Sequence, residues 1–137
     1  MRNSTILATI LIAGIAAVPS IAKDSKDFIN DAIMGDNSEI MLGKLAERAA
    51  SSVDVKQFGH TLVADHTLAK RQASAVARKL GVTPPTRAMV AADTEYAKLQ
   101  VLTGSSFDTE FAYYMVKDHQ SDIDEFEAQA KDDNGPA

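Results

Sequence analysis

Apolar residues recur at spacings of three and four along most of this chain, which is the period of a helix with one buried face. The pattern predicts a first helix from about Ser25 to Ala50 and a second, the clearest, from Val53 to Leu80. A weaker helix is predicted from Arg87 to Thr103, and a last one from Phe107 to Ala130. No segment alternates convincingly with the period of two that marks a half-buried strand. The sequence therefore predicts a single all-α domain over residues 23–137.

The stripes of apolar residues on these helices are the predicted core. The stripe of the second helix consists of Val55, Phe58, Leu62, Ala69, Ala73, Val76 and Leu80. The stripe of the last helix consists of Phe107, Phe111, Met115, Ile123, Phe126 and Ala130. Ser51-Ser52 offers an N-cap, Gly81 a stop, and Thr83-Pro84-Pro85-Thr86 a segment that cannot continue a helix.

The first 22 residues follow a different pattern. Arg2 precedes an uncharged apolar run from Ile6 to Val18, and Ser20-Ile21-Ala22 forms a small-x-small site before Lys23. This layout is typical of a secretory signal peptide, so we expect residues 1–22 to be removed and the protein to be periplasmic or secreted. An uncleaved membrane anchor is the alternative, but a run of 13 residues is short of the ~20 that span a bilayer as a helix. No transmembrane span is expected after cleavage.

Composition and charge exclude several classes of function. The mature chain would carry 13 basic and 19 acidic residues, a formal charge of −6. Such an acidic balance disfavours nucleic acid as a partner, because nucleic acid binds to surfaces with clustered Lys and Arg. Cysteine is absent, which excludes disulfides, thiolate catalysis and Cys-ligated zinc. The chain also lacks a G-x-S-x-G elbow and a phosphate-binding glycine loop. These absences favour a non-enzymatic protein without settling the question.

A nine-residue pattern, F-x3-[LM]-V-x-D-H, occurs twice, at Phe58–His66 and Phe111–His119. Both histidines fall inside the apolar stripes of their helices, and Glu39 falls toward the core side of the first helix. Glu39, His66 and His119 each lie near the midpoint of a helical segment. Packed side by side, the three residues would meet at one level, the arrangement from which helical bundles build internal metal sites.

Three more carboxylates complete the predicted ligand set. Asp65 and Asp118 directly precede the two histidines, and Asp122 follows His119 in the i, i+3 spacing of di-metal carboxylate bundles. Imidazole and carboxylate together suit iron, zinc or manganese. Two alternatives remain open. A buried His-Asp-Glu network can fix helix register without a metal, and a di-metal oxidase or peroxidase would need more inward carboxylates than this chain offers.

Three groups of motifs span nearly the whole predicted mature chain. They are S-E-I-x-L-G-x-L-A at 38–46, V-K-x-F at 55–58 with V-x-D-H at 63–66, and G-x2-F-D at 104–108 with M-V-x-D-H at 115–119. Together they resemble a bacterial family known as domain of unknown function 4142. The resemblance implies a ferritin-like four-helix-bundle fold and an exported protein, of a kind often labelled as an outer-membrane protein, with no established activity. By match to the family's motifs, the residues that the resemblance singles out here are the D-H pairs Asp65-His66 and Asp118-His119, together with Glu39.

This chain departs from that family at its end. Family members usually continue with a further helix that often contains its own histidine, whereas this sequence stops at Asn134-Gly135-Pro136-Ala137. We expect the family's last helix to be missing by truncation. Alternatively, the Arg87–Thr103 helix takes its place, or a homodimer covers the apolar groove that three long amphipathic helices leave open. A ligand on the missing helix would make metal affinity weak here.

The leading hypothesis from the sequence is therefore an exported helical bundle that binds a transition metal. Its role would be to buffer the metal or to protect the cell envelope against oxidants. The competing hypothesis is a structural or interaction protein of the envelope whose polar core contains no metal.

Overall fold

Four α-helices account for most of residues 23–131, the part of the chain that this computed structural model describes. They are α1 (Ser25–Ala49), α2 (Val53–Lys79), α3 (Val90–Leu99) and α4 (Gly104–Ala130). Residues 23–131 contain no strand, so the prediction of an all-α helical bundle is confirmed. Within the same residues no helix combines the length and apolar character needed to cross a membrane. The predicted signal peptide lies outside the described residues.

The helices α1 and α2 form an antiparallel pair that is held at very short range by two glycines. A Cβ atom added to Gly59 would lie 2.7 Å from the carbonyl oxygen of Gly43, and one added to Gly43 would lie 2.8 Å from the carbonyl oxygen of Gly59. Only glycine at both positions allows the two backbones to approach this closely. Farther along the same pair, Ile29 and Ile33 of α1 pack with Ala77 of α2.

The last helix, α4, runs antiparallel to α1 and parallel to α2. Phe126, near its end, makes an edge-on contact with Phe28 near the start of α1, at 5.0 Å between ring centroids. Phe111 and Phe58 are 6.0 Å apart, and the rings of His119 and His66 are 6.1 Å apart. Both pairs are separated by 53 residues in the sequence. The two nine-residue repeats therefore lie side by side and in register.

The main core lies at the end of the bundle where α1 ends and α4 begins. Its buried residues are Leu42, Leu45, Ala46, Ala50, Leu62, Ala92, Leu99, Phe107, Phe111 and Met115. The short helix α3 closes this end through Ala92 and Leu99, while Phe107 and Phe111 stack on each other. This core fixes the height of the polar residues that lie immediately beside it.

The predicted apolar stripes were wrong at several positions. Phe58 and Val76 of α2 are 39% and 43% exposed, and Ile123 and Phe126 of α4 are 52% and 53% exposed. In α2, small residues such as Gly59 face α1, which turns the larger side chains toward the edge of the contact. The second half of α4 keeps an exposed apolar face. That a second copy of the chain covers this face stays a prediction.

Helix α3 is shorter than predicted because α1 holds the segment before it in an extended form. The amide of Asn37 donates to the carbonyl oxygens of Pro85 and Arg87, at 3.2 and 2.9 Å. The hydroxyl of Ser38 accepts a hydrogen bond of 2.9 Å from the backbone N–H of Met89. Because of these long-range bonds, α3 begins after Arg87, at Val90.

A carboxylate of α4 holds the start of α2. Asp108 accepts hydrogen bonds from the backbone N–H groups of Ser51 and Ser52, at 2.9 and 2.8 Å, and from the Ser51 hydroxyl. These bonds lower the pKa of Asp108, and the bond from the Ser51 side chain has the largest effect. The contact ties the beginning of α4 to the beginning of α2 and so supports their parallel register.

Candidate metal centre

Glu39 is the central residue of the polar cluster that lies next to the main core. Its side chain comes from the middle of α1 and is 1% exposed. One carboxylate oxygen, Oε2, lies 2.6 Å from Nε2 of His66, and the other, Oε1, lies 3.2 Å from Nδ1 of His119. The second contact is not a hydrogen bond, and Oε1 has no hydrogen-bond partner among the described residues. A buried carboxylate oxygen without a donor is a costly feature for a fold to retain.

His66 lies between two carboxylates of α1. Its Nε2 contacts Glu39, and its Nδ1 lies 2.9 Å from Oδ1 of Asp36, a buried residue one turn before Glu39. Burial by itself would lower the pKa of His66, but the hydrogen bonds to Asp36 and Glu39 outweigh burial and raise that pKa to about 10. His66 is therefore an imidazolium at neutral pH when no ion is bound, and a metal ion would have to displace its proton.

His119 approaches Glu39 from α4. Its Nδ1 lies 2.9 Å from the carbonyl oxygen of Met115, one turn earlier on the same helix. Because a carbonyl oxygen can only accept, Nδ1 carries the proton and donates it to Met115. In the neutral ring, Nε2 then keeps a lone pair that is available to a ligand. The ring is set edge-on to His66 at 6.1 Å.

Asp118 and Asp122 form a second group around Glu39. One ligand atom from each of Glu39, Asp118 and Asp122 can be chosen so that all lie within 4.8 Å of one another, and the same holds for Glu39, His66 and His119. Burial raises the pKa of Asp118, and the charge of Glu39 raises it further. Burial, together with the charges of Asp118 and Glu39, raises the pKa of Asp122 to about 6.

The structure thus brings five of the six sequence-predicted ligands together and leaves one apart. Asp65 is exposed and belongs to neither group. The residue that precedes a histidine is rotated by about 100° around the helix. Since α2 and α4 are parallel and both face α1, that rotation carries Asp118 toward Glu39 and carries Asp65 toward solvent.

Two residues near the site were not singled out from the sequence. Asp36 is a polar partner of His66, and its place on the same face of α1 as Glu39 was the signal that could have identified it. Tyr114 is half-buried beside the carboxylates, and burial, followed by the charge of Asp118, raises its pKa to about 12.

An open groove of about 700 Å³ leads to these residues. Glu39, His66, Asp118 and Asp122 line this groove, whereas His119 is not among its lining residues. Chemically, the groove offers carboxylate oxygens and the imidazole of His66 to water and small ions. Such a donor set suits a divalent transition-metal ion.

Comparison with known protein families shows which family shares this sequence. Residues 12–137 match the family described as domain of unknown function (DUF4142), over nearly the full length of the chain. Comparisons with curated proteins and with solved structures find no match. The resemblance noted from the motifs is confirmed, and the chain belongs to the DUF4142 family.

Proposed function

We propose that this protein binds a divalent transition-metal ion, such as iron, zinc or manganese, through Glu39, His66 and His119. The proposed setting is the cell envelope, where the protein would buffer the metal or limit oxidant damage. Export rests on the pattern of residues 1–22 and on the family resemblance. N-terminal sequencing of protein recovered from the periplasm tests it, with Lys23 as the expected first residue.

The observation that carries the proposal is the unpaired oxygen of Glu39. Oε1 is buried, has no hydrogen-bond partner, and faces the His119 ring at 3.2 Å. A carboxylate in this state is destabilising unless a cation or a proton compensates it. A metal ion between Glu39 and the two imidazoles would compensate it and would use ligands that are already close together.

The surroundings of the histidines also support the proposal. Metal-bound histidines commonly donate their second ring N–H to a carboxylate or a carbonyl oxygen, which fixes the orientation of the ring. Asp36 stands in that position for His66, and the Met115 carbonyl stands in it for His119. In His66 the other nitrogen, Nε2, lies against Glu39. In His119 the nitrogen nearest Glu39 is the Nδ1 that donates to Met115, so Nε2 is the nitrogen with a lone pair for a ligand.

A bound ion would supply Lewis acidity and, if it were iron or manganese, redox capacity. The residues of this chain would hold the ion, exclude part of the solvent from it, and release the His66 proton when it binds.

A metal-free polar network is the second candidate, and one observation favours it. His66 is flanked by Asp36 and Glu39 at 2.9 and 2.6 Å, an arrangement that balances charge without any ion. In that case the network would only fix the register of α1 and α2. Loss of either histidine would then lower stability without changing metal content.

Metal content measured by elemental mass spectrometry separates the two candidates. The mature protein would be purified from periplasm without a histidine tag, beside the His66→Ala/His119→Ala variant. We expect stoichiometric metal in the native protein and its loss in the double variant. The His60→Ala variant is the matched control, because His60 is exposed and pairs with Glu47 away from the site.

Two results would contradict the proposal. One is the absence of bound metal even after incubation with iron, zinc and manganese. The other is equal metal content in the native protein and in the double variant. Either result, combined with a loss of stability in the double variant, would identify the network as structural.

A further inference from the structure

We propose that Glu39 bridges two cations, the second of which binds in an oxygen-only site formed with Asp118 and Asp122. This inference rests on the proposed function, since the first ion is the one between Glu39, His66 and His119. The second site would take a hard divalent cation, and Mn²⁺ and Fe²⁺ are ions that suit both sites.

The position of Glu39 makes it suitable as a bridge. Its two oxygens have different neighbours: Oε2 lies 2.6 Å from Nε2 of His66, and Oε1 lies 3.2 Å from Nδ1 of His119 without a hydrogen bond. Both candidate ligand groups include Glu39, and each is compact enough for its atoms to contact one ion. A carboxylate that binds one ion through each oxygen typically holds the ions about 3.5–4 Å apart.

The two aspartates provide the other side of the second site. Asp118 and Asp122 are one turn apart on α4, so both project toward Glu39. Both are half-buried, and within residues 23–131 no backbone or side-chain donor hydrogen-bonds to either carboxylate. Acidic side chains in such surroundings are normally paired with a cation.

Lysine and arginine do not provide that cation. In the described part of the chain, neither residue type forms an ion pair with Glu39, Asp118 or Asp122. Arg87 lines the same groove but makes no ion pair with these three carboxylates, and Lys23 is paired with Asp31 and Glu125. Among the described residues, the basic side chains that contact Glu39 are the two imidazoles, and both belong to the first site.

The groove explains how a second ion could complete its coordination. With one Glu39 oxygen on the first ion, the three carboxylates supply at most about five of the six oxygens that manganese usually takes, so water or a small ligand must fill the remaining positions. Glu39, Asp118 and Asp122 all line the open groove, so these positions are accessible from solvent. The second ion would therefore bind more weakly than the first and exchange faster.

Titration with Mn²⁺, followed by electron paramagnetic resonance, tests the proposal on the intact mature protein. The signal of free Mn²⁺ reports how many ions are bound, and a spin-coupled signal reports two ions that share a bridge. We expect two ions per chain with coupling in the native protein. The Asp118→Asn/Asp122→Asn variant should bind one ion without coupling, and Glu39→Gln should lose both.

The Asp65→Asn/Asp124→Asn variant is the control, since it removes the same charge from exposed positions outside both groups. It should bind as the native protein does. The second site would be overturned if the native protein and the Asp118→Asn/Asp122→Asn variant each bound one ion. The proposed function would still stand if the His66→Ala/His119→Ala variant lost that ion. Two ions in the Asp118→Asn/Asp122→Asn variant would also overturn the second site. No bound Mn²⁺ in the native protein would overturn the second site, and the proposed function would then be decided by its own test with iron and zinc.

Discussion

The contact between Gly43 and Gly59 allows a sharp test of how α1 and α2 are held together. We predict that Gly59→Ala destabilises the protein, although alanine is the better helix former. The new Cβ would lie 2.7 Å from the Gly43 carbonyl oxygen, 3.0 Å from the Ala46 Cβ and 3.2 Å from the Glu47 backbone nitrogen. None of these atoms is the end of a flexible side chain, so the helices themselves must separate.

The expected magnitude follows from two opposing terms. Replacing glycine by alanine inside a helix gains about 1 kcal/mol of helix propensity. Forcing an extra methyl group into a closed contact costs about 1–3 kcal/mol, and immobile backbone neighbours place Gly59 at the upper end of that range. The net loss should be about 2 kcal/mol, which lowers the melting temperature by roughly 8 °C for a domain of this size.

Gly35 provides the matched control for this experiment. Like Gly59 in α2, it lies inside a helix, here α1, but a Cβ atom added to Gly35 would meet nothing within 4 Å. Gly35→Ala should therefore raise the free energy of unfolding by about 0.5–1 kcal/mol. Urea unfolding followed by far-UV circular dichroism measures both variants. If Gly59→Ala were as stable as Gly35→Ala, the close helix contact would be refuted.

Three further predictions concern single carboxylates and a histidine. Because the pKa of His66 is raised from 6.5 to about 10, its stabilising contribution is complete below 6.5 and is lost as pH rises toward 10. Urea midpoints measured in the presence of a chelator should fall over that interval in the native protein and stay flatter in His66→Gln. Asp108→Ala should cost about 1–2 kcal/mol by leaving the N–H groups of Ser51 and Ser52, just before α2, without their acceptor. Because the pKa of Asp108 is lowered, its contribution should be lost as pH falls through that lowered pKa in acid titrations of the native protein. The pKa of Asp122 is raised to about 6, so its ionisation opposes folding. Without metal and above that pH, Asp122→Asn should therefore have a higher melting temperature than the native protein. Added Mn²⁺ should stabilise the variant less than it stabilises the native protein.

Helical periodicity was sufficient to predict the bundle and the height of its polar residues. Glu39, His66 and His119 each lie near the middle of a helix, and residues at equal heights meet whichever way neighbouring helices run. For that reason their meeting could be expected without knowing the topology. Their assembly as ligands depends on contacts of 2.6 and 3.2 Å that no sequence pattern specifies.

Rotation about the helix axis was the quantity that the sequence did not determine. The predicted stripe of α2 included Phe58 and not Gly59, whereas the close approach of the two backbones places Gly59 against α1. The same uncertainty explains why Asp65 and Asp118, identical in their local motifs, have different surroundings. The start of α3 depends on hydrogen bonds from residues of α1 that are distant in the sequence.

The glycine contact also divides the candidate ligands into a fixed half and an adjustable half. Glu39 and His66 belong to two helices whose backbones touch, whereas His119 belongs to a helix held to them through aromatic side chains and through Asp108 near its start. In the repeat on α4, Ala112 occupies the position of Gly59. Small shifts of α4 would change the size of the coordination sphere without disturbing the α1–α2 pair. A centre built in this way would discriminate between cations by the donor atoms they prefer more than by their radius.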